Sequence, residues 1–291
     1  MRINDLNKII LQQKRNVVAS NEVSKSVPNN GPNLKKILGK RPHLKKTNVF
    51  KNVPRFFPKF ENQIGSIKHS GDIGDLIYFL PVIRYLGCSD LFLNPRGLQT
   101  KKIDGTASGF NFDLIRILTP LLESQVYIKS VLPWTNQPVN IDADYFRQVE
   151  SPLINLCEKI LFAFSIPFVE IDVPWIYVEP KKIAPQVFSR SFRYRNEDMD
   201  YSKFIAKRDD CVFIGLDNEY VDFCDRFGKI PYYPVKDFLE LAQVIAGSET
   251  FYGNQSSPMA IAISMHKNFV QESFRGHPDC VFNLKHAKYI I

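Results

Sequence analysis

From residue 61 onward, short apolar runs alternate with longer stretches in which apolar residues recur every three or four positions. NQIGSIKHS (62–70) predicts a strand that ends in the turn GDIGD. Leu76, Ile77, Leu80, Ile83 and Leu86 then share one helical face, and Gly87 ends that helix. Pro81 falls inside it and predicts a kink or a late start, because proline has no N–H to donate. DLFLN (90–94) reads as a strand, NFDLIRILTPLLES (111–124) as a helix and QVYIKSV (125–131) as a strand. SPLINLCEKILFA (151–163) reads as a helix capped by Ser151, with Pro152 in its first turn. VPWIYV (173–178) leads into EPKKIAP, a proline- and lysine-rich joint that divides the chain.

Beyond the joint the alternation is clearer. CVFIGL (211–216) predicts a strand, and DNEYVDFCDRFG (217–228) a helix closed by Gly228. IPYYPV (230–235) predicts a strand and KDFLELAQVIAG (236–247) a helix closed by Gly247. ETFYG (249–253) is a strand, SSPMAIAISM (256–265) a helix and NFVQE (268–272) a strand. Strands separated by helices imply crossover connections and parallel sheets. The expected fold is therefore α/β, with two Rossmann-like halves, residues 61–178 and 179–291, facing a cleft. In such sheets ligands lie outside the carboxyl ends of the strands.

Charge sets the first 60 residues apart. They hold 14 Lys and Arg against two acids, Asp5 and Glu22, a net +12, so the remainder carries −4 of the overall +8. The body is thus not a general polyanion binder. Within the basic extension Ile3, Leu6, Ile9 and Ile10 have helical spacing, SNEVSKSVPNNGPN reads as linker, and LKKILGKRPHLKKTNVFKNVPRFFPKF interleaves Phe with Lys and Arg. Three readings compete: a solvated tail, a handle for nucleic acid or another polyanion, and a mitochondrial targeting segment. No apolar run reaches the length of a membrane span and no signal peptide opens the chain. The five cysteines are widely spaced with no CxxC pair, which argues against a structural zinc site and suits a reducing, cytoplasmic setting.

Four segments carry candidate chemistry. In His69-Ser70-Gly71-Asp72-Ile73-Gly74-Asp75, Gly71 and Gly74 permit a tight turn and close ligand approach ahead of a helix N-terminus. Asp72 and Asp75 are either a reactive pair or helix caps; two acids in one Gly-rich strand–helix turn favour the site. Gly253-Asn254-Gln255-Ser256-Ser257-Pro258 joins another strand to a helix, with free amides and two hydroxyls suited to a diphosphate, or to ordinary capping. Ser189-Arg190-Ser191-Phe192-Arg193-Tyr194-Arg195 would place three guanidinium groups on one side if extended, a phosphate clamp or a solvated loop. Asp217-Asn218-Glu219 follows a strand, where an acid accepts hydrogen bonds from ribose or stabilises a helix start. His266, His277 and His286 have no metal-ligand spacing, and neither a Walker loop, a GxGxxG fingerprint nor a GxSxG elbow occurs.

IKHSGDIGDLIYFLPVIRYLG resembles the N-terminal motif of GT-B glycosyltransferases, in particular the ADP-heptose heptosyltransferase group with its bacterial and phage relatives. FYGNQSSPMAIAISM is similar to that group's C-terminal donor motif, and SRSFRYRN falls where its second domain opens. The resemblance implies an acceptor domain over 61–178 and a nucleotide-sugar donor domain over 179–291. It implies an aspartate as general base, matched by Asp75 with Asp72 as fallback, and inversion at the anomeric carbon. Ser189, Arg193, Arg195, Glu219, Gly253, Asn254, Gln255, Ser256 and Ser257 would then face the donor, with Gly71 and Gly74 at the acceptor turn. No cofactor or metal is expected, because arginines and a helix dipole would neutralise the leaving diphosphate. Gln255 stands where the family has an acid, and the family's donor-binding lysine has no clear match, leaving an arginine as its candidate substitute, so ADP-heptose itself is not implied as donor. The basic extension, foreign to that group, makes nucleic acid or another polyanion a candidate acceptor. The alternatives are a non-catalytic GT-B-like binding or structural protein anchored by its basic tail, and a Rossmann-like protein of nucleoside or phosphate metabolism.

Overall fold

The structure, a computed structural model, describes residues 64–98, 109–150, 155–282 and 284–290. The basic extension, with its expected short helix, lies outside the described residues, as do Ser151 and Pro152.

A first sheet contains β1 (Ile64–His69), β2 (Cys88–Leu93), β3 (Ile128–Pro133) and β4 (Ile141–Asp142) in the order β3-β2-β1-β4, all parallel. Parallel neighbours need crossovers, which α1 (Ile73–Leu86) and α2 (Phe112–Glu123) supply. After α3 (Leu156–Ala163) comes a second sheet of β5 (Gln186–Ser189), β6 (Cys211–Phe213), β7 (Thr250–Asn254), β8 (Phe269–Glu272) and β9 (Ala287–Ile290). Its order is β6-β5-β7-β8-β9, again all parallel, with α4 (Asp217–Phe227), α5 (Phe238–Gly247) and α6 (Ser257–Ser264) as connections. Strand order reverses between β1 and β4 in one sheet and between β5 and β7 in the other, and such points open a crevice at the carboxyl edge. No helix among the described residues is long and apolar enough to cross a membrane.

Several elements depart from the sequence reading. The third helix starts later, at Leu156, and is capped by Asn155, whose side chain accepts from the Glu158 amide at 3.1 Å. Segment 230–235 is not a strand but a single parallel bridge of Tyr232 to Phe213. Pro231 and Pro234 have no N–H, so only the Phe213 amide to the Pro231 carbonyl and the Tyr233 amide to the Phe213 carbonyl can form the ladder. The interior strand β5 goes unread because four residues with only Val187 and Phe188 apolar give no period. Gly247 is the last residue of α5 rather than its cap; a Cβ there would lie 2.2 Å from the Lys181 carbonyl oxygen, so the joint presses directly on the helix.

Pro81 neither delays α1 nor ends it. A proline at that position leaves the carbonyl four residues earlier, that of Ile77, without its helical donor. The indole Nε1 of Trp175 fills the vacancy, donating to the Ile77 carbonyl at 2.9 Å. Trp175 is almost fully buried, and its own amide donates to the Ser264 carbonyl at the end of α6. The buried Arg84 guanidinium donates to the carbonyls of Pro174 and Glu170 and pairs with the Glu170 carboxylate at 3.0 Å. Gln125, after α2, exchanges two hydrogen bonds with Tyr177, and the Tyr127 hydroxyl donates to the Trp175 carbonyl. Residues 170–177 thus form a strap pinned to both halves, while α1 packs on α6 and α2 on α5.

Trp175→Ala should cost about 3–5 kcal/mol in urea unfolding. Trp175→Phe, which keeps most of the ring but leaves the Ile77 carbonyl unpaired, should cost about 1–3 kcal/mol. A loss within error for both would remove the strap from the stability account.

Candidate functional site

The turn after β1 is fixed from beneath. His69 is fully buried, its Nδ1 accepts from the Gly71 amide at 3.0 Å, and its ring packs against Phe79 and Phe110. Burial pushes its pKa down to about 3, so it is a neutral structural support. Gly71 (φ +121°) is required by space: a Cβ would sit 2.2 Å from the Gly109 Cα. Asp72 occupies the N-cap position of α1 without capping it. One of its oxygens accepts from the Gly109 amide at 3.0 Å, and the other lies 3.7 Å from Nη1 of Arg193. Asp75, in the first turn of α1, pairs with Arg147 Nη2 at 2.5 Å. A Cβ added at Gly74 meets nothing within 4 Å, so this face of the helix start is open.

Arg147 comes from the 3-10 turn Ala143–Gln148, which directly follows β4 and therefore stands at the switch point beside β1. It also donates to the Gly71 carbonyl and, at 2.6 Å, to Asp144. Asp144 accepts from the Ser70 amide and lies 3.3 Å from the Lys68 ammonium. Burial alone would raise the Asp144 carboxyl, but the Ser70 amide and the Arg147 charge help hold it below the usual range. At Asp75 the balance goes the other way. Burial dominates over the Arg147 charge, Asp72 adds repulsion, and the pKa rises to about 6. The two carboxyls that share Arg147 thus differ in basicity, and Asp75 is the one tuned toward neutral pH.

The second sheet contributes its carboxyl edge. Ser189 ends β5 in the core, and its carbonyl would lie 2.7 Å from a Cβ at Gly253, so β7 can approach only as glycine. Asn254 is fully buried; its Oδ1 accepts from the Ser191 amide at 2.9 Å and its Nδ2 donates to the carbonyls of Ser191 and Arg193. Gln255 accepts from the Phe274 amide at 2.7 Å and donates to the His277 carbonyl at 2.6 Å. Ser256 stands at the N-cap of α6, but its hydroxyl donates to the Asn254 carbonyl, and Ser257 opens the helix. Glu219 accepts from the Leu216 amide at 3.0 Å at the start of α4, with its carboxyl raised by burial.

The three arginines of 190–195 do not line one side. Arg190 is buried against Glu272 through two bonds of 2.8 Å, and the Tyr201 hydroxyl and Asn196 amide complete that carboxylate's partners. Arg195 pairs with Asp222 at 2.9 Å and donates to the Ser191 carbonyl. Arg193 is half-exposed and points across to Asp72. The structure therefore brings Asp72, Asp75, Gly71, Gly74 and Arg193 together, with Asn254, Gln255, Ser256, Ser257, Gly253 and Ser189 in the frame below Arg193. Arg195 and Glu219 sit on the α4 side, each with a partner of its own.

Lys68, Asp144 and Arg147 escape the sequence reading. A faint signal exists in Asp142-x-Asp144-x-x-Arg147, an acid-capped turn after an apolar residue, but β4 is two residues long and no pattern announces it. Among the described residues no group of three or more His, Cys, Asp or Glu is arranged to hold a metal ion.

No sequence-family model matches the chain, and no curated protein matches it by sequence. Solved structures do match in fold. The iron-containing dodecameric glycosyltransferase TibC from enterotoxigenic E. coli H10407 aligns with a TM-score of 0.50 at 15% identity, over 79% of this chain and 63% of TibC. The chain thus spans under two thirds of that protein, and the described residues offer no ligand set for its iron. The E. coli heptosyltransferase WaaC, solved with ADP-2-deoxy-2-fluoro heptose, aligns at 10% identity over 78% of this chain and 92% of WaaC (TM-score 0.47). A family 9 glycosyl transferase from Veillonella parvula DSM 2008 aligns at 11% identity over 78% of this chain and 85% of its own (TM-score 0.44). The chain has the two-sheet α/β fold of GT-B glycosyltransferases.

Arg190→Met should cost roughly 3–5 kcal/mol in urea unfolding, because Glu272 is left charged and buried. Adding Glu272→Leu should recover part of that loss. If the double variant is no more stable than the single one, the pair is not the source of the cost.

Proposed function

We propose that this protein is an inverting glycosyltransferase that moves a sugar from a nucleotide-sugar donor to an acceptor hydroxyl without a metal ion. The observation that carries this reading is the meeting of Asp72, which stands with Asp75 at the switch point of one sheet, with Arg193 at the switch point of the other. A carboxylate pushed up to about 6 is suited to take a proton from a hydroxyl near neutral pH. The activated oxygen attacks the anomeric carbon from the side of the first sheet, the bond to the diphosphate breaks, and the diphosphate leaves toward the second. Arg193 and the first-turn amides of α6 are placed to stabilise the charge that develops there. The open face at Gly74 admits the acceptor. The fold shared with TibC supports the reading.

Asn254 and Gln255 take the part of wall-builders, since their amides are spent on the loops they tie. Arg195 acts through Asp222, and Glu219, at the carboxyl edge beyond β6, lies on the side where a ribose would fall. Residues 1–60 carry a net +12, suited to a polyanionic acceptor such as nucleic acid.

Asp75→Asn should lower transfer by at least about a hundredfold with donor binding unchanged. The base works deprotonated, so wild-type kcat/KM should rise with pH and reach half its plateau near pH 6. Arg147→Met removes the cation that opposes the shift, so the same limb should move to higher pH; an unmoved limb would take Asp75 out of the base role. Deleting residues 1–60 should abolish salt-sensitive DNA binding, and binding that survives the deletion would exclude the extension as the anchor.

A further inference from the structure

One aromatic cluster at the carboxyl edge of the second sheet is not used by the chemistry above. The loops that follow β5 and β8 meet over the end of β7. The Tyr194 ring lies 5.0 Å from His277 and 6.1 Å from Phe274, and the rings of Phe274 and His277 are inclined by only 24° at 6.0 Å. Gln255 holds both ends of the 274–277 turn, so these rings are fixed relative to α6. Tyr194 adopts φ +49°, a conformation that costs energy for a bulky side chain, and its hydroxyl accepts from Arg193 at 3.1 Å. The Arg193 guanidinium also lies 4.9 Å from the Tyr194 ring. Phe274 remains 38% exposed although its ring lies against Gly276, where a Cβ would meet it at 2.7 Å.

Position decides which part of a donor this surface would touch. In a doubly wound sheet the ribose lies toward the acid after the second strand, here Asp217 and Glu219 after β6. That is on one side of β5. The rings stand on the opposite side, over β7 and β8, with Arg193 between. A diphosphate on Arg193 therefore directs its sugar away from β6, onto the rings and toward Asp72.

We propose that Tyr194, Phe274 and His277 form the platform on which the transferred sugar rests, and so set its specificity. The claim rests on the donor reading above. Aromatic faces accept the C–H face of a pyranose, so the platform selects a sugar with an unbroken apolar face and rejects one whose axial hydroxyl points into the rings.

The test is calorimetric titration of the full-length chain with ADP, UDP and GDP, and with ADP-glucose, UDP-glucose and GDP-mannose. In the wild type one nucleotide sugar should bind more tightly than its own nucleoside diphosphate. Phe274→Ala should remove that increment, about tenfold, and leave the diphosphate alone unaffected. Phe274→Tyr should restore it. Gly276→Ala, which displaces the ring without deleting it, should give a partial loss. Arg193→Ala should weaken both ligands together. If Phe274→Ala weakens both equally, or neither, or if no sugar adds to wild-type binding, the platform is overturned and the donor reading stands. If the wild type binds no nucleoside diphosphate, the donor reading itself falls.

Discussion

The hydrogen bond from the Trp175 indole to the Ile77 carbonyl is the contact on which the placement of everything else depends. Proline within a helix is a cost because it leaves one carbonyl without a donor. Here the cost is converted into a socket. The segment that leaves the first sheet is fastened to α1 at that socket, then to the end of α6 through the Trp175 amide. Arg84, about two turns beyond Ile77 on α1, grips the same segment through its backbone. Because the strap is bound to both halves in its own middle, the two carboxyl edges meet where Asp72 faces Arg193. A looser joint would leave those side chains on separate bodies.

Charge is used in two ways, and burial separates them. Arg190 and Glu272 are almost wholly excluded from water, and the remaining lone pairs of the carboxylate are met by Tyr201 and Asn196. Such a pair is a framework element, since its ions cannot be lent to a ligand without stranding a partner. Arg147 with Asp75, and Arg193 with Asp72, are part-exposed and geometrically less complete. These pairs can open to a substrate at modest cost. The arginine-rich segment 190–195 contains both kinds within six residues, which is why composition alone does not sort them.

Legibility in the sequence followed the length of each pattern. The long apolar period of α1 and the repeated strand–helix alternation after residue 211 led to the parallel α/β architecture. The Gly-Asp turn was recognisable because strand, glycines and helix are contiguous in the chain. β4, two residues long, and β5, with only Val187 and Phe188 apolar, had no period to read, yet β5 is an interior strand of its sheet and β4 introduces Arg147. Pro81 predicts a kink or a late start from sequence because the donor that completes its turn lies far along the chain, at Trp175.

What the sequence by itself determined was local: which segments are helix or strand, where chain direction turns, and that acids stand at one helix start while arginines follow the joint. Those properties depend on neighbours within a few residues, through backbone geometry and the period of apolar side chains. Which arginine meets Asp72, why Asp75 rather than Asp144 is raised, and which rings stay open to solvent were decided by the tertiary structure. Each depends on burial and on charges brought from distant segments, and neither quantity exists until the sheets are in place.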